Sequence, residues 1–238
     1  MTLPSVEIPR YELTLPSQDI KVQFRPFLVK EEKLLLIAME SKDNKEIVSA
    51  TKEILKVCTF DKLDIENLPM FDIEYILLQV RSKSVGEISK FRVLCPDDKE
   101  TLTEVELDLT KVNVNVDDEH TNKIVIDEKR NLGLVLNYPT LNISQAGFDM
   151  DDTNIDAVFD VIVSSIDHIY EGDKIYPAKD STKEELKEFI ETMSQEVFKK
   201  VKKFFDTMPQ LRHEIEVENP KTKVKSKVVF RGLQDFFQ

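Results

Sequence analysis

Nucleophilic catalysis needs a cysteine, serine or threonine held against a base, and the base is most often histidine. The sequence offers three histidines, His120, His168 and His213, and two cysteines, Cys58 and Cys95, none of them inside a motif that fixes a nucleophile–base spacing. Each histidine reads as a surface or interface residue, and His213-Glu214 lacks the second histidine of a zinc-protease helix. Glycines at 86, 133, 147, 172 and 232 are too scattered for a phosphate loop or a dinucleotide fingerprint. Cys95-Pro96-Asp97-Asp98 approaches a zinc-ribbon turn, which needs Cys-x-x-Cys at a hairpin and a second such pair nearby. Here the fourth position is Asp98 and no second pair exists, so Cys95 reads as a small buried residue at a strand end. Asp149 to Asp160 can be laid on a calcium loop with Asp151 at the third position. The turn glycine is replaced by Asn154, however, and the closing glutamate by Asp160. Those carboxylates suit the start of a helix near Asn154, where they cap it and oppose its dipole. A two-carboxylate hydrolase needs its pair roughly 5–10 Å apart across a cleft. Among 45 Asp and Glu any chosen pair is uninformative, and the absence of Trp argues against a sugar-stacking cleft. No catalytic, cofactor-binding or metal-binding residue is assigned, and no cofactor is expected.

Composition points away from several partners. The 238 residues are 41% hydrophobic, enough for a sizeable core, and 33% charged with only 5 Gly, which suits a helix-rich protein. A formal charge of −12 repels polyanions, so nucleic-acid binding is not expected. No apolar run approaches the roughly 20 residues that cross a bilayer. Met1-Thr2-Leu3-Pro4-Ser5 lacks the basic and apolar regions of a secretory signal, so a cytoplasmic protein with reduced cysteines is expected.

The elements that must position these residues follow from periodicity. Residues 1–16, with Pro4, Pro9 and Pro16, read as an extended arm, followed by a half-buried strand at Ile20, Val22 and Phe24. KEEKLLLIAM (30–39) reads as a short, largely buried helix, and a second helix carries Ile47, Thr51, Ile54, Leu55 and Cys58 on one face. Pro69 opens a third helix with Ile73, Ile76, Leu77 and Val80 inward, and Gly86 closes it. Alternation over 88–95, 102–109, 112–116, 123–127 and 132–136 predicts an antiparallel meander, its first turn at Pro96–Lys99. Between Asp97 and Glu128 eleven acidic residues stand against three lysines. Residues 142–152 read as a loop. Ile155 to Tyr170 hold helical spacing, and Leu186, Phe189, Ile190, Met193, Val197, Val201, Phe204 and Met208 predict one long helix of roughly 40 Å. A capping box opens it, either Ser181 with Glu184 or Thr182 with Glu185. Two strands, 214–218 and 223–230, form a terminal hairpin. The expected fold is α+β: a helical N-terminal region (1–86), a central antiparallel sheet (87–140), and C-terminal helices with the hairpin (141–238).

The stretch Phe71-Asp72-Ile73-Glu74-Tyr75-Ile76-Leu77-Leu78-Gln79-Val80-Arg81-Ser82-Lys83-Ser84-Val85-Gly86-Glu87, with the following strand and Cys95-Pro96 turn, resembles a signature of the T4-like bacteriophage baseplate hub assembly proteins. The ending Gly232-Leu233-Gln234-Asp235-Phe236-Phe237 is similar to that family's C-terminus. Some members carry further cysteines at the hairpin turn. This sequence has only Cys95 there, so no metal site is carried over. The resemblance implies a protein that works by binding other baseplate hub proteins in the host cytoplasm during tail assembly, not an enzyme. Alternatives are a structural subunit retained in the virion tail baseplate and, from another class, a hub-associated cell-wall hydrolase. Candidate partner-binding residues are Arg81, suited to a bidentate carboxylate within the chain or on a partner, with Lys83 beside it, and the terminal pair Phe236 and Phe237.

Overall fold

The computed structural model describes residues 6–41, 43–141, 155–232 and 235. Among them are six helices and eleven strands, the strands in four small antiparallel sheets. The chain forms two compact units, one from residues 1–115 and 210–238, the other from 116–209.

In the first unit, β1 (Tyr11–Thr14) and β2 (Lys21–Phe24) form a hairpin in register Tyr11↔Phe24. Part of the stretch read as an arm is thus a strand. Leu13 and Leu15 are buried, and Ser17 donates its N–H (3.1 Å) and its hydroxyl to the buried Asp72 carboxylate. Helix α1 (Val29–Ser41) starts where Glu31 accepts the Leu28 N–H at 2.7 Å and pairs with the buried Arg25. It is less buried than its apolar run suggests, since Leu36 and Ile37 are exposed. Helix α2 (Asn44–Cys58) is capped by Asp43 and buries Thr51, Ile54, Leu55 and Cys58. Helix α3 (Met70–Val85) follows Pro69 and ends at Gly86, whose φ of 136° favours glycine. Phe71, Ile73, Ile76, Leu77, Leu78 and Val80 are all buried, so apolar side chains surround this helix and it forms the centre of the unit. Leu78 and Tyr75 join the core of a hairpin, β3 (Ile88–Leu94) with β4 (Leu102–Asp108), and of a second sheet in the order β11-β10-β5. These last strands are β5 (Asn113–Asn115), β10 (Gln210–Glu218) and β11 (Lys225–Arg231). Phe91 and Phe230 meet edge to face at 5.2 Å in that core.

The second unit pairs β6 (Lys123–Asp127), β7 (Leu132–Leu136), β8 (Ile166–Glu171) and β9 (Lys174–Pro177) in sequential order. Three helices pack with it: α4 (Ile155–Ser164), α5 (Lys183–Glu191) and α6 (Gln195–Thr207). Their shared core includes Leu134, Leu136, Ile162, Ile190, Val201 and Phe204. Of the two capping boxes the sequence allowed, the one formed is Thr182 with Glu185.

The expected arrangement of one central sheet between two helical regions is overturned. The segments read as one meander divide among three sheets: β3 and β4 pair with each other and, among the described residues, with no other strand, β5 joins β10, and β6–β7 continue into β8–β9. The fold is mixed α+β with its strands dispersed. Strand partners here are chosen by tertiary burial far along the chain, which local alternation does not encode. The expected helix over Ile155–Tyr170 stops at Ser164, where the Ser165 N–H bonds the Val161 and Ile162 carbonyls and its hydroxyl returns to the Val161 carbonyl. Residues 166–171 then run as a strand into a turn at Gly172 (φ 59°). The expected long helix is also two, because Thr192 closes α5 and Ser194 accepts the Val197 N–H to cap α6.

Candidate functional site

The residues singled out for chemistry are held in structural roles. Cys58 is fully buried, and burial pushes its thiol up to about 11, far from the thiolate a nucleophile or ligand needs. Cys95 is buried at the end of β3, and its N–H and carbonyl hold the turn to Thr101 (2.8 Å) and Lys99 (2.9 Å). Asp98, at the position of a second zinc-ribbon cysteine, accepts from the Glu100 N–H, the Thr101 N–H and the Thr101 hydroxyl. Those bonds hold its carboxyl well below the usual range. Asp97 takes the Asn219 amide (3.0 Å) and the Thr222 hydroxyl (2.5 Å), tying this turn to the β10–β11 turn. His120 lies between Thr207 (2.9 Å) and Tyr138 (3.1 Å), its ring near those of Tyr138 and Phe204. His168 bonds Asp167 (2.6 Å), which also accepts from Asn137. Burial lowers the His213 ring, against the opposing charge of Asp108. Among the described residues, no group of three His, Cys, Asp or Glu is placed to hold a metal ion, and no helix is long and apolar enough to cross a membrane. The calcium-loop segment 149–154 lies outside the described residues.

Arg81 and Lys83 sit together near the end of α3. The half-buried Arg81 guanidinium donates to the Ser89 hydroxyl on β3 at 3.3 Å, and burial lowers its pKa. Lys83 pairs with Glu87 one turn on and lies 5.3 Å from the centre of the Tyr11 ring, so its ammonium is engaged within the unit. Phe236 and Phe237 lie outside the described residues.

A concave site that the sequence reading did not identify lies in the second unit, between the sheet and the α5–α6 layer. It encloses about 660 Å³. Ile126, Leu132, Ile169 and Tyr176 line it from the sheet, and Leu186, Phe189, Met193 and Val197 from the helices. Register explains the sheet side: Ile169 pairs with Leu134 and with Tyr176, so all three share the face turned to the helices. Leu134 is fully covered, whereas Ile169 is half-buried and Tyr176 is 45% exposed on the edge strand β9. On the helix side Leu186 and Val197 are buried, while Phe189 and Met193 are only half-buried. The polar rim holds Asp127, Arg130, Glu171, Glu185 and the two residues at the helix break, Thr192 and Ser194. Arg130 is paired with Glu171 through Nη2 at 2.6 Å and Nε at 3.1 Å. Glu185 accepts the Thr182 N–H, and Asp127 accepts the N–H groups of Lys129 and Arg130. Chemically, the site is an apolar concavity with carboxylates at its mouth.

A family model described as T4 bacteriophage base plate protein matches the chain over residues 8–238. No curated protein and no solved structure matches the chain.

Proposed function

The chain belongs to the T4 bacteriophage base plate protein family, and from that premise we propose that it serves assembly of the baseplate hub by binding other hub proteins in the infected host, not by catalysis. The observation that carries this reading is the extent of the match, which leaves only the first seven residues outside it. The geometry supports it. His120, His168 and the turn carboxylates Asp97 and Asp98 are engaged in stacking and hydrogen bonding within the fold, and the groove of the second unit offers a largely apolar lining. Half-buried apolar side chains in a concave site gain free energy when a partner covers them, roughly 25 cal/mol per Å² removed from water.

The test is recovery of an affinity-tagged chain from infected cells, with its companions identified and the finished particles assayed for it by mass spectrometry. Other baseplate hub proteins should co-purify, and an assembly factor should be depleted from mature tails. Stoichiometric retention in particles would replace the assembly role with that of a structural subunit. Recovery without any baseplate protein would refute the binding reading.

A further inference from the structure

We propose that the groove of the second unit receives a partner segment whose bulky apolar side chains are flanked by lysine or arginine. The inference rests on the binding reading above and adds the chemistry of the partner. Three features converge on it. The floor presents Ile126, Ile169, Phe189 and Met193, each half-buried against the unit's core, with the half-buried Leu132 beside them, all facing one concavity of a size typical of binding pockets. An apolar insert completes their burial, whereas a polar insert would strip its own hydration against a floor that offers few hydrogen-bond partners.

The rim selects the charge of the flanks. Arg130, the cation among the lining residues, is paired with Glu171 and also lies in the field of Asp127, and with Glu185 the four charges at the mouth keep a net negative sign. The same sign extends over the whole unit. Residues 116–209 hold twenty Asp and Glu against eleven Lys and Arg, a formal charge of −9 of the chain's −12. A cationic segment is attracted over the Debye length, an acidic one is repelled, and the groove fixes register once contact is made.

Tyr176 is the site for a probe, being exposed and in the lining. The full chain carrying p-benzoylphenylalanine at 176 is produced in infected cells and illuminated, and the linked residues are mapped by mass spectrometry. A second chain carries the same group at the exposed Val224 of the first unit. The expected adduct from position 176 lies in a baseplate protein, within a segment where at least two large apolar residues adjoin Lys or Arg. Asp127→Asn with Glu185→Gln keeps acceptors for the local hydrogen bonds and removes two charges. That double variant should cut the adduct yield about fivefold or more. Adducts from 224 alone would overturn the groove while leaving the binding reading intact. Adducts from 176 in an acidic or wholly polar segment, or in a second copy of this chain, would overturn the proposed chemistry. A yield unmoved by the charge-removing pair would do the same. Absence of adducts from both positions would count against partner binding itself.

Discussion

Glu31→Ala should be among the most damaging single substitutions in the first unit. The Arg25 and Glu31 side chains are 9% and 6% exposed and meet at 2.9 Å. Arg25 also donates to the Pro26 carbonyl at 2.7 Å, and the second Glu31 oxygen accepts the Leu28 N–H at the start of α1. Removing the carboxylate strands a buried guanidinium, which costs about 3–5 kcal/mol. That figure contains the lost helix-start contact, about 1 kcal/mol by itself. Replacing both residues, Arg25→Met with Glu31→Met, removes the stranded charge, so the double variant should be more stable than Glu31→Ala alone, with a coupling of about 2 kcal/mol or more. The readout is built into the fold. Cys58 and Cys95 both lie in this unit, are both buried, and have thiols raised by burial, and the Arg25 N–H bonds the Cys58 carbonyl at 2.9 Å. Pulsed thiol labelling across a urea series therefore reports opening of the first unit alone. A shift below about 1 kcal/mol for Glu31→Ala, or a double variant as damaged as the sum of the singles, would refute the reasoning. The pH dependence provides a second check. Burial raises the Glu31 carboxyl, but the bonds from Arg25 and Leu28 and the charges of Arg25 and Lys30 outweigh it, so its folded pKa lies below 4.5. Its contribution is complete above that value and is lost as pH falls through the folded pKa; the variant should lack this part of the acid limb.

Three further outcomes concern the second unit. Gly133→Ala should destabilise it by about 2–3 kcal/mol, read from its tyrosine fluorescence in urea, because a Cβ there falls on the Tyr170 phenol and 2.5 Å from the Ile124 carbonyl. Tyr170→Phe removes only the hydroxyl and should not rescue it, since the ring Cζ and the Ile124 carbonyl each stay 2.5 Å from the added Cβ; full rescue would show the hydroxyl to be the sole obstacle. His120 should make the unit acid-sensitive. The Thr207 hydroxyl already donates to the Lys203 carbonyl, so it accepts from His120 Nδ1–H, and the neutral ring's Nε2 accepts from Tyr138. Burial lowers its pKa against the opposing charge of Asp117, so the unfolded chain binds more protons below about 6.5 and stability falls as pH drops through that region. His120→Phe should flatten the melting profile between pH 7.5 and 5.5, and an unchanged profile would remove His120 as the cause. Ser194→Ala should cost about 1 kcal/mol through loss of the α6 cap, measured by circular dichroism in urea, and no shift would mean that the helix break is held by packing alone.

Where local chemistry determines the outcome, the sequence was legible. The α2 stripe, the helix bounded by Pro69 and Gly86, the turn at Pro96–Lys99 and the cap at Thr182 each depend on residues within one or two turns of one another. Longer-range choices were not. Val114 alternates correctly for a strand, but its partner Leu211 lies in the C-terminal hairpin, and nothing near residue 114 specifies it. Ile166, Ile169 and Tyr170 fit both a helix face and a strand, and the deciding marks are Ser164-Ser165 before them and Gly172 after. The stripe from Leu186 to Phe204 keeps its phase through the α5–α6 break, because periodicity reports which side is buried and not whether the backbone is continuous. Ser194 carried the cap signal inside that stripe. Of the candidate partner-binding residues, Arg81 and Lys83 were read as lying beside the buried stripe of α3, with Arg81 suited to a carboxylate within the chain or on a partner, and in the structure both are half-buried. The groove was missed because its sheet side depends on pairing between β6, β7, β8 and β9.

Element lengths explain why a groove exists at all. An unbroken helix over 183–207 would run roughly 37 Å. The strands beneath it have four to six residues, or roughly 14–20 Å. A straight rod of that length would leave much of its apolar stripe beyond the sheet. The break at Thr192–Ser194 divides the stripe into two shorter segments that share one core, and Ser194 and Thr192 satisfy backbone groups the break releases. The helical layer still stops short of the β8–β9 edge, where Ile169 and Tyr176 remain on the inward face without full cover. The concavity therefore follows from a mismatch between well-formed elements, with its walls fixed by strand register and a helix cap. Walls held in this way need little ordering of their own, so a partner segment entering the groove would be spared that one of the costs of association.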